Sequence, residues 1–190
     1  MVDRALALLR EFHDMQKLHL RRSVPREVVK WSLPAEGLYK VNFDKAIFED
    51  QAFAGLGVVI RDYMGLIIGA LSERIRLPSS VVLVEALAAR RAISFAREIC
   101  ILRAVVEDDS QQVIKAINTS KSSKAPYGHV IDEIKLLSSS MSCYNFIHVK
   151  RRGNKLAHAL ACRAVLSADT NVWLEDLPRD LDDVFQFDLP

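Results

Sequence analysis

Tyr39-Lys-Val-Asn-Phe-Asp44 begins the part of the sequence that decides the fold. It belongs to an apolar run over Leu38–Phe48, and two similar runs follow it, Ala54-Gly-Leu-Gly-Val-Val-Ile60 and Leu66-Ile-Ile-Gly-Ala-Leu71. The segments between these runs are short and turn-like. Runs of this kind with short connections predict three strands in an antiparallel meander.

Helices and strands alternate in the region that follows the meander. We expect helices over 81–98, 110–118, 127–140 and 154–167, and strands over 101–107 and 144–150. Helical crossovers between strands favour parallel strands with right-handed connections. The order therefore predicts an α/β fold in which a five-stranded mixed sheet carries helices on both faces.

Four segments divide the chain. Residues 1–22 are predicted to form an amphipathic helix, because apolar residues recur there at helical spacing. Residues 23–37 read as a linker, 38–168 as the main domain and 169–190 as a tail. Trp173, Leu177 and Val184 are the apolar residues through which the tail could dock on the domain.

Composition limits the class of protein. The 190 residues are 50% hydrophobic and 26% charged, as in a globular domain, and the net charge of +2 permits nucleic-acid binding without arguing for it. The cysteines, Cys100, Cys143 and Cys162, lack the spacing of a zinc site, so we expect free thiols in a reducing intracellular compartment, nucleus or cytoplasm. No apolar run reaches the length of a membrane span, so we expect no membrane partner.

Three acidic residues occupy positions that otherwise indicate burial. Asp44 lies within the first strand, Glu85 begins an alanine stripe on the helix 81–98, and Asp109 follows the fourth strand. Buried charges of one sign are costly unless something pairs with them, and divalent metals pair well with carboxylates. The pattern indicates metal-dependent chemistry on a phosphate-rich substrate.

Each acid also has an ordinary structural interpretation. Asp44 could face water from an edge strand, Glu85 could favour the helix dipole, and Asp109 could cap the next helix. Taken together, the three carboxylates can converge on one patch and bind one or two Mg²⁺ ions. Two ions roughly 4 Å apart suit phosphodiester cleavage by water.

Residues 38–168 resemble the ribonuclease H fold, especially the plant ribonuclease H-like domains related to retroelement reverse transcriptases. The runs that carry the resemblance are Lys40-Val-Asn-Phe-Asp-Lys-Ala46, Gly55-Leu-Gly-Val-Val-Ile-Arg-Asp62, Glu85-Ala-Leu-Ala-Ala89, Glu107-Asp-Asp-Ser-Gln111, His148-Val-Lys-Arg-Arg-Gly-Asn154 and Asn154-Lys-Leu-Ala-His-Ala-Leu-Ala161. Their order and spacing make the match strong, although no single run is decisive.

The resemblance implies roles for particular residues. Asp44, Glu85 and Asp109 match the family's metal-binding carboxylates, and His158 matches a fourth metal-binding position that is usually Asp. The family cleaves the RNA strand of an RNA–DNA hybrid and leaves a 3′-hydroxyl and a 5′-phosphate. Gln111 matches a position near the RNA 2′-hydroxyls, the group that distinguishes RNA from DNA.

Two residues depart from the family pattern. Lys45 replaces a small residue, so its side chain could obstruct the RNA, reach a phosphate, or compete with metal by pairing with Asp44. His158 offers nitrogen instead of oxygen, which favours Mn²⁺ over Mg²⁺ and weakens a second metal. The segment 119–126 is short for a basic protrusion, so the expected nucleic-acid contacts are scattered: Lys45, Gln111, Lys150, Arg151, Arg152 and Asn154.

Three functions remain open at this stage. The first is a retroelement-derived or domesticated endonuclease of the ribonuclease H type, taken as a monomer, with RNA–DNA hybrid as its partner. The second is a catalytically weak or inactive module that keeps the fold and binds nucleic acid or protein. The third is a nuclease of the same fold that acts on DNA or single strands. Lys45 and His158 favour the second.

Overall fold

The computed structural model describes residues 31–120 and 125–190. The predicted N-terminal helix, most of the predicted linker, and Lys121 and Lys124 lie outside these residues. None of the helices in the described part of the chain is long and apolar enough to cross a membrane.

A six-stranded mixed sheet forms the centre of the fold. Its strands are β1 (Tyr39–Phe48), β2 (Phe53–Arg61), β3 (Ile67–Arg76), β4 (Arg103–Asp108), β5 (Cys143–His148) and β6 (Asn171–Leu174), in the spatial order β5-β4-β1-β2-β3-β6. β1, β2 and β3 form the predicted antiparallel meander, while β4 is parallel to both β1 and β5. The α/β fold with a mixed sheet is thus confirmed.

The sixth strand corrects the predicted strand number. β6 comes from the segment that we interpreted as a tail, and it pairs antiparallel with β3, with Trp173 opposite Ala70. It is only four residues long, so its period-two pattern is too short to read from sequence. Residues 171–174 are therefore part of the sheet, as its edge strand beside β3.

Five α-helices within the described residues cover the two faces of the sheet. They are α1 (Val81–Glu98), α2 (Gln111–Asn118), α3 (Gly128–Ser138), α4 (Lys155–Arg163) and α5 (Asp182–Asp188). Apolar residues of α1, α2 and α3 form the larger core with one face of the sheet. Leu156 and Leu160 of α4 form a second core with Val59, Leu177 and Val184 on the opposite face.

Pairing between β1 and β4 defines where a site can form. The parallel ladder ends where Asn42 lies opposite Glu107, whereas β1 continues to Phe48. Asp44 therefore lies just beyond the carboxyl end of β4, in the cleft that opens between the two strands. Ligands of α/β proteins commonly bind at such a position.

A buried polar network closes the α4 side of the sheet. Arg61 Nη1 donates to Asp188 Oδ2 at 2.9 Å, and its Nη2 donates to Asn42 Oδ1 at 3.1 Å. The Trp31 indole also donates to Asn42 Oδ1, at 3.0 Å, and its ring lies 3.6 Å from the guanidinium carbon of Arg61. Residues from both ends of the described chain are thereby bound to the central strands.

Candidate metal centre

Asp44 lies at the middle of the candidate site. Side chains alternate along β1, so Val41 and Phe43 enter the larger core while Asp44 faces α4. Asp44 is only 2% exposed, and the backbone N–H of Lys45 donates to its Oδ1 at 2.7 Å. The edge-strand interpretation of Asp44 is therefore wrong, because β1 is an interior strand and the carboxylate is buried.

Two glycines bring α4 against the sheet at this point. A Cβ added to Gly57 would lie 2.1 Å from the carbonyl oxygen of Ala157, and one added to Gly55 would lie 2.0 Å from that of Ala161. Gly57 is also the residue opposite Asp44 in the β1–β2 ladder. The lack of a side chain at Gly57 thus allows the helix to place His158 beside Asp44.

Glu85 reaches the site from the first turns of α1. The same helix face carries Ala88, Ala89, Ala92 and Ala96, all fully buried, so the helix lies close to the sheet as its alanine stripe predicted. Glu85 is 8% exposed, which excludes a solvent-facing role at the helix end. Its Oε2 atom is buried and has no hydrogen-bond partner within the described residues.

Asp108 completes a compact group of carboxylates. One oxygen each from Asp44, Glu85 and Asp108 lies within 4.8 Å of the others. The third carboxylate of this group is thus Asp108, the neighbour of the predicted Asp109, whose own metal-binding role stays a prediction. β4 extends through Asp108, which places that side chain on the same strand face as the buried Ala104 and Val106, one residue earlier than expected.

Asp109 lies next to this group but is not part of it. The residue is half-buried, and burial followed by the charge of Asp44 raises the pKa of its carboxyl group. Its carbonyl oxygen lies 3.1 Å from Nε2 of His148. A direct metal contact from Asp109 stays a prediction. The capping alternative is not seen, because the residue before α2 is Ser110 and the helix start has no side-chain cap hydrogen bond.

Burial and repulsion from neighbouring acids raise the pKa of two of these carboxylates, Asp108 and Glu85. Burial, and then the charges of Glu85 and Asp44, raise the pKa of Asp108 well above its ordinary value. Burial also raises the pKa of Glu85, although the nearby Lys45 ammonium opposes that shift. Protonation of these groups is thus easier than in water, and a cation that replaces the proton would relieve the same repulsion.

Lys45 forms an ion pair inside the site. Its Nζ lies 3.1 Å from Glu85 Oε1, and its side chain is 22% exposed. Burial lowers the pKa of Lys45, but the pairing with Glu85 outweighs this effect and leaves the pKa above its ordinary value. Of the residues of the site, Lys45 thus pairs with Glu85, whereas the sequence-based expectation named Asp44.

His158 pairs with Asp44 from the opposite side. Nδ1 of His158 lies 2.9 Å from Asp44 Oδ2, while Nε2 lies 3.5 Å from Arg151 Nη2 and 3.6 Å from Cys162 Sγ. Burial acts to lower the pKa of His158, but the hydrogen bond to Asp44 prevails and raises it to about 10. The raised pKa favours the protonated ring, whereas a histidine must be neutral to ligate a metal.

The predicted nucleic-acid contacts separate into two groups. Gln111, Lys150, Arg151 and Arg152 are exposed, and Arg151 is close enough to Asp109 for its charge to lower the pKa of that residue. They are therefore available to a nucleic acid that approaches the carboxylate group. Lys45 lies within the site itself, and its role in binding stays a prediction.

Asn154 has a structural position instead of a surface one. The residue is 1% exposed, and its Nδ2 donates to the carbonyl oxygen of Phe43 at 2.7 Å and contacts Asp108 Oδ1 at 3.5 Å. The side chain thus joins the start of α4 to β1 and β4. Asn154 is therefore buried in this structure, and its predicted contact with nucleic acid stays a prediction.

The donor set fits a hard divalent cation. Three carboxylates meet in one place, and the buried Oε2 of Glu85 has an unused acceptor position. Oxygen ligands of this type suit Mg²⁺ and Mn²⁺. Asp44, Glu85 and Asp108 are the residues that would hold such an ion.

Solved structures with the same architecture are ribonucleases H. The ribonuclease H1 of Halobacterium salinarum NRC-1 shares 23% identity, with a TM-score of 0.63 over 68% of this chain and 98% of that one. LC11-ribonuclease H1, solved in complex with an RNA/DNA hybrid, shares 21% identity, with a TM-score of 0.60 over 68% of this chain and 99% of that one. These likenesses establish a ribonuclease H-like fold.

A viral polymerase contains the same fold in a small part of its length. The protease-reverse transcriptase of prototype foamy virus shares 18% identity, with a TM-score of 0.53 over 76% of this chain and 22% of that one.

Residues 42–164 match the model of the Reverse transcriptase-like family, so the chain belongs to that family. The resemblance to reverse-transcriptase-associated ribonuclease H domains is thus confirmed. No curated protein matches the sequence.

Proposed function

We propose that this protein is a metal-dependent endonuclease that cleaves the RNA strand of RNA–DNA hybrids and derives from a retroelement. The observation that carries this proposal is the group formed by Asp44, Glu85 and Asp108, whose oxygens lie within 4.8 Å of one another. The ribonuclease H-like fold and the family membership support it. The hybrid bound to the similar LC11 enzyme supports the same substrate class here.

Some residues of the site would bind the metal, and others would bind the substrate. Asp44, Glu85 and Asp108 would hold the metal, for which we propose Mg²⁺ or Mn²⁺, with Asp109 beside them. The chemistry that a bound divalent metal supplies is activation of a water and stabilisation of the leaving oxygen. Arg151 is placed to attract a phosphate toward this group.

The exposed residues next to the site would position the hybrid. Lys150, Arg151 and Arg152 follow β5 as three consecutive cations that can contact phosphates. Gln111, at the first position of α2, would contact the RNA strand. With so few cations near the site, binding should be weak and should fall steeply with salt. We propose that the protein acts as a monomer within a reducing compartment of the cell.

A specific observation favours a second function, a non-catalytic module that binds nucleic acid. Lys45 pairs with Glu85, and His158 contacts Asp44. Two of the three carboxylates thus already have a partner other than a metal. A protein with this site can retain nucleic-acid binding after catalysis is lost.

Cleavage of an end-labelled RNA–DNA hybrid, in Mg²⁺ and then in Mn²⁺, separates the two functions. The nuclease proposal expects cutting of the RNA strand alone, with loss of cutting in Asp44→Asn and Asp108→Asn. The same assay on Asp109→Asn shows whether the neighbouring carboxylate also takes part. A folded protein that binds the hybrid but cuts neither strand in either metal would support the binding module instead.

A further inference from the structure

We propose that Lys45 is an internal competitor for metal: its ammonium occupies Glu85 and thereby sets the affinity of the carboxylate group for a divalent cation. The inference rests on the proposed metal site and adds a residue that controls how the site is loaded. It follows from the distance between Lys45 Nζ and Glu85 Oε1, which is 3.1 Å.

The position of Lys45 in the strand explains how it reaches Glu85. Side chains alternate along β1, so Lys45 leaves the strand on the face opposite to Asp44. α1 packs on that face, and Glu85 lies in the first turns of this helix. Lys45 is thus fixed by the strand at one end and by the ion pair at the other.

Charge balance shows why the pairing matters for metal. Asp44, Glu85 and Asp108 carry three negative charges when ionised, and the Lys45 ammonium places a positive charge against one of them, Glu85. A metal that binds all three carboxylates would have to displace Lys45 from Glu85 or accept the repulsion of its ammonium. Either requirement weakens metal binding relative to a site without Lys45.

The ion pair is positioned so that it can open. The Lys45 side chain is 22% exposed, so a swing away from Glu85 moves the ammonium toward water. The second oxygen of Glu85, Oε2, has no hydrogen-bond partner within the described residues although it is buried. A buried acceptor without a donor destabilises the folded protein. The ion pair with Lys45 does not relieve this penalty, because it uses the other oxygen of Glu85. A cation bound to Oε2 would relieve it.

Binding of Mn²⁺ to the full chain, measured from free Mn²⁺ by electron paramagnetic resonance, tests the inference without relying on activity. Lys45→Met keeps the length of the side chain and removes its charge, so it should bind Mn²⁺ about tenfold more tightly or better. Lys45→Arg keeps the charge and should bind like the wild type. An unchanged or weaker affinity in Lys45→Met would overturn the proposal.

A double-mutant cycle distinguishes competition at Glu85 from general repulsion by a positive charge. In a Glu85→Gln background, removal of the Lys45 charge should bring little further gain, because the residue for which it competes is absent. A gain of the same size in both backgrounds would show that Lys45 acts only through its field, which contradicts competition.

Hybrid cleavage by Lys45→Met keeps this inference separate from the proposed function. If the variant binds Mn²⁺ more tightly and leaves the hybrid intact, the competition stands while the nuclease function fails. If it cuts the hybrid with an affinity for Mn²⁺ equal to that of the wild type, the nuclease function stands while the competition fails.

Discussion

His158 and Asp44 are joined by a 2.9 Å contact between Nδ1 and Oδ2 at the point where α4 meets β1. The resemblance to the ribonuclease H family placed His158 at a metal-binding position. In the structure, the imidazole contacts a carboxylate that would bind the metal, and the role of His158 as a ligand stays a prediction. A metal bound at Asp44 Oδ2 would compete with this contact.

Replacement of His158 by Asp should strengthen Mg²⁺ binding and raise Mg²⁺-dependent cleavage of an RNA–DNA hybrid. The change removes the cation that pairs with Asp44 and adds an oxygen ligand, which Mg²⁺ prefers. His158→Asn is the matched control, since it removes the cation and adds no charge. Equal Mg²⁺ affinity in the wild type and both variants, measured by calorimetry, would show that His158 does not influence the metal.

Metal affinity should increase with pH. Burial raises the pKa of Glu85 and of Asp108, so both groups retain protons at pH values where ordinary carboxyl groups are ionised. A metal must displace those protons, and binding therefore weakens as the pH falls through the raised pKa values. Mn²⁺ titrations at several pH values should show proton release on binding. A pH-independent affinity would mean that these carboxyl groups are not the ligands.

Asp108→Asn should stabilise the protein at neutral pH while it abolishes metal-dependent activity. A carboxyl group whose pKa is raised on folding contributes its full stabilisation below its unfolded pKa, and that contribution is lost as the pH rises through the folded pKa. Asn resembles the protonated acid and still offers an oxygen to the Ser110 N–H, which now donates to Asp108 Oδ2 at 2.9 Å. We expect a gain of roughly 1–2 kcal/mol in the free energy of unfolding.

Asp109→Asn is the control for that measurement. Asp109 is only half-buried, so its charge is better solvated and its replacement should change the free energy of unfolding less. Urea unfolding of both variants at neutral pH provides the comparison. A larger gain from Asp109→Asn would indicate that Asp109, and not Asp108, carries the repelled charge.

Sequence patterns point to Asp44 and Glu85, whereas the third carboxylate of the compact group, Asp108, is the neighbour of the predicted Asp109. Asp44 and Glu85 were recognisable because each interrupts an apolar pattern whose period is known. Asp108 and Asp109 are adjacent acids at the end of β4. Because side chains alternate along a strand, the residue at which the strand ends determines which of the two acids faces the interior. Sequence patterns leave such boundaries uncertain by at least about one residue.

Long-range pairing was the other feature that sequence could not supply. The meander and the helix Val81–Glu98 follow from local patterns, and the structure contains both. The insertion of β4 beside β1, the addition of β6 to β3, and the pairing of Lys45 with Glu85 join residues that are far apart in the chain. No local pattern specifies these partners.

Gly57→Ala should destabilise the protein and disturb the site together. The added Cβ would lie 2.1 Å from the Ala157 carbonyl oxygen, which is backbone and cannot move alone. We expect α4 to shift away from β2 and the free energy of unfolding to fall by roughly 1–3 kcal/mol or more. Gly69→Ala is the matched control, because its Cβ would meet the Phe95 side chain at 3.0 Å. Equal losses in the two variants would contradict the close approach of α4.

Loss of Asp188 should be among the most destabilising single changes in the described part of the chain. Arg61 is fully buried and pairs with Asp188 at 2.9 Å, so Asp188→Ala leaves a guanidinium without its counter-charge in the interior. Removal of one partner of a buried pair costs about 3–5 kcal/mol. Thermal or urea unfolding of the full chain gives this value directly.

The double variant Arg61→Met with Asp188→Leu separates the charge effect from packing. If the unpaired charge causes the loss, replacement of both partners by apolar residues should recover most of the stability, because neither buried charge remains. Asn42 would still lose the donor that Arg61 Nη2 provides, but the Trp31 indole continues to donate to its Oδ1 at 3.0 Å. A double variant as unstable as Asp188→Ala would show that the contact of α5 with the sheet depends on these two side chains themselves, and not on the balance of their charges.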